Sequence, residues 1–451
     1  MVRRPTVRYV CSSCGATSSA WAGRCAVCGE WNTLTEEAVI DDASIANPGA
    51  SGHKLKFNTI SATSGKSVKR LKTDIAQIDD VLGGGIVSGS ITLIAGQPGA
   101  GKSTLLLQIA SSVARSASVI YVSGEESTGQ VGLRAQRLNT LESKLKLATS
   151  TSADDIAATV KSGEFSLVIV DSIQTMACHH INSAPGTISQ ISGSTQLIMS
   201  AAKLSNTAVI IVGHVTKEGA IAGPKILEHI VDVVLQLEGE RYGGFKLVRS
   251  TKNRYGSTNE VAILEMSDLG LRPVDNPSAA LLAERQICDG SVILATIEGS
   301  RPLLVEVQAL VNPTNYGIPK RAASGIDINR VNLLIAMLEK RTKLNLANSD
   351  IYINIVGGLR ISEPAADLAI CMAIGSAAKA LKLKENAVVF GEVGLSGEVR
   401  HVPFIDKRIQ EAKKLGIDIA IGPIIRTGKQ PANLDSVSDV RTALNKYLKT
   451  D

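Results

Sequence analysis

Gly96-Gln97-Pro98-Gly99-Ala100-Gly101-Lys102-Ser103-Thr104 decides how the rest of this 451-residue chain is read. An apolar run at 91–95 precedes it and an apolar helical pattern at 103–114 follows, so a strand leads in and a helix leads out. Glycines in such a turn leave backbone N–H groups free to wrap phosphate oxygens, and the helix N-terminus adds the positive end of its dipole. Lys102 then faces the β- and γ-phosphates of ATP, and Ser103 faces Mg²⁺. The nine residues from Gly96 to Thr104 are the expected nucleotide cradle.

Working outward, two strand ends supply the missing acids. The run 167–171 closes on Asp171, placed to position Mg²⁺ through its water shell. The run 118–122 closes on Ser123-Gly124-Glu125-Glu126, and a carboxylate there can orient and deprotonate a water attacking the γ-phosphate. Glu125 takes that role because it lies nearer the strand end, with Glu126 behind it. The run 208–213 delivers His214 beside the same site, as a γ-phosphate sensor or as a structural residue.

These runs and those at 231–237 and 245–250 are apolar on both faces, which suits a mainly parallel sheet covered on both sides. Residues 67–271 therefore form one block. Residues 280–451 carry further strands (291–298, 303–310, 350–356, 387–393) and helices (329–340, 365–378, 405–415), enough for a core of their own. Residues 32–66 have no sustained period and read as a linker. Hydrophobic content of 44% with 20% charged residues is that of a globular protein, and 48 basic against 42 acidic residues permit a polyanionic partner without demanding one. No secretory signal and no bilayer-length apolar run is seen, so a cytoplasmic protein without a membrane partner is expected.

Residues 1–31 contain two Cys-x-x-Cys knuckles, Cys11/Cys14 and Cys25/Cys28, each followed by glycine. Four thiolates in this pattern make a tetrahedral Zn²⁺ site. Trp21 and Trp31, the chain's two tryptophans, are expected in the core of so small a unit, with base stacking as the alternative. Cys178, Cys288 and Cys371 have no partner at ligand spacing and read as ordinary buried residues.

Val81-Leu-Gly-Gly-Gly85, Tyr121-Val-Ser-Gly-Glu-Glu-Ser127 and Lys252-Asn-Arg254-Tyr-Gly256 resemble the RadA (Sms) family of bacterial DNA-repair proteins over nearly the whole chain. Tyr255 stands where that family's hallmark has phenylalanine. The resemblance implies an α/β fold: a RecA-like P-loop ATPase core, an N-terminal C4 zinc finger and a C-terminal Lon-protease-like α+β domain. It implies a homo-oligomeric ring, a hexamer, acting with RecA recombinase on single-stranded and branched DNA in homologous recombination and the DNA-damage stress response. Lys252 and Arg254, on one face of an extended edge, repel unless an anion neutralises them. The resemblance makes that anion ATP on the neighbouring subunit, with both cations acting in trans on the transferring phosphoryl group.

Gly357-Gly-Leu-Arg-Ile-Ser-Glu-Pro364-Ala365 resembles the nucleophile segment of Lon protease, which raises an ATP-dependent protease as the rival function. Ala365 falls where the serine belongs and Asp406 near the lysine base, so the dyad is missing, and Ser362 has no evident activating lysine. A nucleotide-driven scaffold with slow turnover is a second rival. The stretches 177–193 and 217–225, with Lys217 and Lys225, are expected to face a central channel and contact DNA, followed by Lys320, Arg321, Lys407 and Arg408.

Overall fold

The computed structural model describes residues 7–11, 17–18, 20–38, 69–214, 226–239, 245–314, 317–383, 386–425 and 430–449. They fall into two compact units, 1–67 and 68–451. No helix among the described residues is long and apolar enough to cross a membrane.

In the first unit, strand β1 (Val7–Cys11) is flanked by two antiparallel partners, β2 (Thr17–Ser18) and β3 (Leu34–Ala38). Cys11, Cys25 and Leu34 make the buried centre, with Tyr9 packed against them. Leu34 pairs with Cys11, so strand β3 runs into the stretch expected to be linker. The tryptophans are not the core: Trp21 is 61% exposed and Trp31 68%. Thiols already fill the centre of this small unit, leaving no interior for an indole.

After a short strand pair (Arg70–Leu71 with Ile86–Val87) that brackets a helix at Ala76–Val81, the second unit forms a nine-stranded sheet among the described residues. In chain order its elements are β4 (Ile91–Gly96), α1 (Lys102–Ala114), β5 (Val119–Ser123), α2 (Thr128–Arg137), β6 (Leu145–Thr149), α3 (Ala153–Lys161), β7 (Leu167–Asp171), α4 (Ile188–Ser205), β8 (Ala208–His214), α5 (Ile226–Ile230), β9 (Val233–Glu238), β10 (Phe245–Asn253), β11 (Val261–Ser267) and β12 (Gly270–Pro273). The spatial order is β12-β11-β10-β9-β4-β8-β7-β5-β6. Strands β9, β4, β8, β7, β5 and β6 are mutually parallel, and β10 to β12 extend the sheet antiparallel. The parallel centre is the part read as continuous apolar runs, since helices bury both faces: α1 and α2 on one side, α3 and α4 on the other. Parallel strands present all their C-terminal ends at one edge, which is where open α/β sheets bind ligands.

A helix, α6 (Pro277–Leu282), leads to a second, seven-stranded sheet. Its elements are β13 (Ser291–Glu298), β14 (Arg301–Pro313), β15 (Arg321–Ser324), α7 (Ile328–Thr342), β16 (Ser349–Ile355), α8 (Asp367–Lys379), β17 (Ala387–Val389), α9 (Ile405–Lys414), β18 (Ile419–Pro423), β19 (Leu434–Val437) and α10 (Val440–Tyr447). The order β15-β16-β14-β13-β17-β18-β19 mixes parallel and antiparallel pairs. The run 387–393 is two pieces, because Gly391 bonds to Ala365 and Leu368 near the start of α8 instead of continuing the sheet. Leu247, Val261 and Ile263 of the first sheet lie in the same hydrophobic cluster as the second sheet's interior. The boundary expected after 271 falls inside β12.

Candidate nucleotide and metal sites

The sheet's topology gathers the expected phosphate-site residues. Strand β4 ends in Gly96, and α1 begins at Lys102 after Gly101, whose φ of 104° lies in the left-handed region that glycine adopts without strain. A Cβ on Gly96 would meet the Leu237 carbonyl at 2.6 Å, so β4 and β9 approach closely only because glycine is there. Lys102 is buried, and its Nζ donates to the carbonyls of Gly96 at 2.8 Å and Gln97 at 3.0 Å. Burial holds its ammonium below the ordinary lysine range, while Asp171 and Glu125 pull it back up.

Lys102, Ser103, Thr104, Glu125 and Asp171 line one cleft of about 490 Å³. Tyr121, from the middle of β5, donates its hydroxyl to Asp171 at 2.5 Å, fixing the acid at the end of β7. Burial, then the Asp171 charge, pushes that phenol well above its usual range. Ser172 donates to Glu125, holding it over the same cleft. Glu126 is committed elsewhere: Arg134 of α2 takes both its oxygens, at 2.5 and 2.7 Å. Sequence reasoning missed Tyr121, Arg134 and Arg137, which lines the cleft from the end of α2. A neighbouring cleft of about 470 Å³ shares Thr104, Arg137 and Met266 with it and adds Asp268. The sole sequence signal for Arg134 and Arg137 is their spacing of three, which sets both on one face of a helix.

Lys252 and Arg254 stand at the other end of the sheet. Strand β10 runs antiparallel to β9, so Asn253 pairs with Val233, which in turn pairs with Thr92 at the start of β4. Five strand steps lead from Ile91 to Gly96, roughly 17 Å at the rise of a strand. The mutual repulsion expected of the pair is present, since burial and then Arg254 pull the Lys252 ammonium down. The premise that only an outside anion could relieve it is corrected by the structure. Arg254 pairs with Asp232 at 3.2 Å, and Lys252 donates to the carbonyls of Glu228 at 2.6 Å and His229 at 3.3 Å.

In the first unit, the sulfurs of Cys11, Cys25 and Cys28 lie within 4.8 Å of one another, with Cys11 and Cys28 at 3.6 Å. Backbone N–H groups of Cys28 and Val27 hold the Cys25 thiol below its ordinary value. Three converging thiols fit a soft divalent ion, and Zn²⁺ suits a thiolate set. Cys14 lies outside the described residues.

Residues 58–220 match the AAA domain family, and residues 9–36 match a rubredoxin metal-binding domain. The chain is 45% identical to DNA repair protein RadA of Pseudomonas aeruginosa over 436 residues, 96% of each chain. It is 46% identical to DNA repair protein RadA of Bacillus subtilis, over 95% of this chain and 93% of that one. The relative of the same name from Listeria monocytogenes is 44% identical over 98% of both. This chain belongs to the RadA family. Its RecA-like P-loop core and N-terminal zinc ribbon are those of a DNA-repair ATPase family.

Other expected residues of this RadA-family chain fare unevenly. The side chain of His214, and Lys217 and Lys225, lie outside the described residues. Helix α4 already begins at Ile188, so the channel-facing stretch expected over 177–193 is loop only in its first part. Lys320 and Arg321 lie at and before β15, the edge of the second sheet. Lys407 is exposed, over the Phe404 ring and 3.2 Å from the Ser300 carbonyl. Arg408 is no DNA contact: it is fully buried, paired with Glu363, and donates to the Ala295 carbonyl at 2.6 Å. Ala365 is buried, whereas Ser362 and Asp406 are exposed. Cys178 and Cys371 are buried as expected, but Cys288 is exposed, in the loop between α6 and β13.

Proposed function

We propose that this chain is a DNA-stimulated ATP hydrolase working as a homo-oligomeric ring, a hexamer, that translocates on single-stranded DNA and drives branch migration of recombination intermediates. One observation carries the reading: Lys252 and Arg254 stand at the sheet edge opposite Lys102, too far to serve the nucleotide of their own chain. Cations in that position do catalytic work only across a subunit interface. A RecA-type recombinase as partner follows from the family alone.

Within one subunit, Gly96 to Thr104 cradle the phosphates, with Lys102 turning from its loop carbonyls to the β- and γ-phosphates. Thr104, Arg137 and Met266 lead into the adjoining cleft, whose size and arginine suit the base. Ser103 and Asp171, lining the same cleft, would hold Mg²⁺, which neutralises charge on the phosphates when bound. Glu125, kept in place by Ser172, takes the proton of the attacking water. Arg134 holds Glu126 out of that role. Cys11, Cys14, Cys25 and Cys28 hold Zn²⁺. We assign residues 1–31 together with β3 to the zinc module, the remainder of 32–66 to the linker, 67–271 with the rest of β12 to the ATPase domain, and 280–451 to the Lon-like domain. The Lon-like domain is not a protease, since Ala365 offers no nucleophile and the exposed Asp406 no base.

The deciding experiment is steady-state ATP turnover with and without single-stranded DNA. Stimulation by DNA supports the motor. Slow turnover indifferent to DNA would favour the nucleotide-driven scaffold instead.

A further inference from the structure

Asp232 is a buried carboxylate outside the phosphate cleft. It sits just before β9, 1% exposed, against Arg254. One oxygen faces Arg254 at 3.2 Å and Lys203 of α4 at 3.7 Å. The other accepts the N–H of Ile91, the first residue of β4, at 3.1 Å. The backbone repeats both links: Asp232 N–H donates to the Ile91 carbonyl at 3.0 Å, and Arg254 N–H to the Asp232 carbonyl at 3.2 Å.

An acid buried this deeply is retained at a cost unless it is paired and hydrogen-bonded. Here its partners are an arginine whose side chain is 52% exposed, the more distant ammonium of Lys203, and the strand that ends in the P-loop. A guanidinium has donors on two edges, so one edge can rest on a carboxylate while the other meets a phosphate. Only Nη1 of Arg254 makes a side-chain hydrogen bond among the described residues. Arg254 is therefore held at one edge and open at the other. A lysine in its place could not be oriented so, having a point charge and no fork.

We infer that Asp232 is a positioning residue: it aims Arg254 at the nucleotide of the neighbouring subunit, and through Ile91 ties that engagement to the strand carrying its own chain's P-loop. The inference rests on the trans role of Arg254 proposed above. Its expected signature is a loss in turnover without a loss in nucleotide affinity, because the aimed group acts on charge that develops during transfer.

The test is a double-mutant cycle in the full chain, reading kcat and KM for ATP with DNA present. Asp232→Asn keeps an acceptor for Ile91 N–H but removes the charge that orients Arg254. It should lower kcat about 100-fold, as expected when a reacting group is misplaced by an ångström, with KM little changed. Arg254→Ala should be slower still, and the double variant no slower than Arg254→Ala alone. Wild-type kcat in Asp232→Asn beside an inactive Arg254→Ala overturns the positioning role and leaves the trans reading standing. Wild-type turnover in Arg254→Ala overturns the trans reading itself. Equal losses from Asp232→Asn with and without Arg254 also overturn positioning, since the acid then acts through the fold. Should Asp232→Asn not fold, Arg254→Lys decides: turnover as low as Arg254→Ala is expected, and wild-type turnover overturns the need for an aimed fork.

Discussion

The P-loop cleft and the buried cluster around Arg408 use the same materials and put them to opposite ends. In the cleft, Lys102, Glu125 and Asp171 line an open space of about 490 Å³, and among the described residues the lysine's hydrogen bonds go to carbonyls of its own loop. In the second sheet, Arg408 is fully buried, with its guanidinium spent on Glu363 and on the carbonyls of Ala295 and Pro403. A cation completed by its own chain belongs to the fold, and one left facing a cleft is completed by something from outside. Lys102→Ala tests the first half of that contrast most sharply. Hydrolysis should vanish while the melting temperature holds, because burial disfavours the charged lysine more than Asp171 and Glu125 favour it. Turnover near wild type, or a collapse of the melt, would break the contrast at its strongest point.

In the first unit the sulfurs of Cys11, Cys25 and Cys28 lie within 4.8 Å of one another, close enough to share one ion. Metal analysis of protein purified without added zinc should find about one Zn²⁺ per chain. Chelation should then unfold β1 to β3, whose buried centre is mostly thiol, while ATP turnover without DNA persists. A metal-free protein that keeps this small sheet would count against the site.

Arg254 falls between the two classes, half-completed by Asp232 and half-open. Arg254→Ala and Lys252→Ala should each lower turnover by about a thousandfold, the lower range for a trans-acting arginine, and leave nucleotide binding to single subunits intact. Mixing either with Lys102→Ala protein should restore part of the activity, since each supplies what the other lacks. Rings that mix without any recovery would return both cations to their own subunit.

What was legible in the sequence follows the same division. The P-loop, Asp171 and Glu125 are contiguous with strands, and one turn of backbone fixes where each side chain goes. Tyr121, Arg134 and Asp232 reach the sites from mid-strand, a helix face and a loop, so only tertiary pairing reveals them. The DNA contact expected of Arg408 rests on its charge and on Lys407 beside it, and the burial of Arg408 rules it out. Its position held the correct signal: Ile405, Arg408, Ile409 and Ala412 fall at i, i+3, i+4 and i+7, the buried stripe of α9. The tryptophans were misplaced for a different reason, because a metal-sized thiol centre leaves no room for an aromatic core.

The buried pair yields the smallest expected effect and the most discriminating one. Arg408→Met alone leaves Glu363 charged and short of its partner, at a cost of about 3–5 kcal/mol. Glu363 has other commitments: one oxygen accepts from Thr296 Oγ1 at 2.8 Å and from Ile297 N–H at 2.9 Å. Glu363→Gln preserves an acceptor for those two bonds and removes the stranded charge. The double variant Glu363→Gln/Arg408→Met should therefore recover most of the loss, ending about 1–3 kcal/mol below wild type for the carbonyls of Ala295 and Pro403 that Arg408 no longer meets. Urea unfolding of the four proteins measures each corner, and ATP turnover should stay at wild type in every variant that folds. Additive losses in the double variant would mean that arginine and glutamate stabilise the sheet independently. Lost turnover in the folded double variant would mean that this closed cluster, too, answers to something outside the chain.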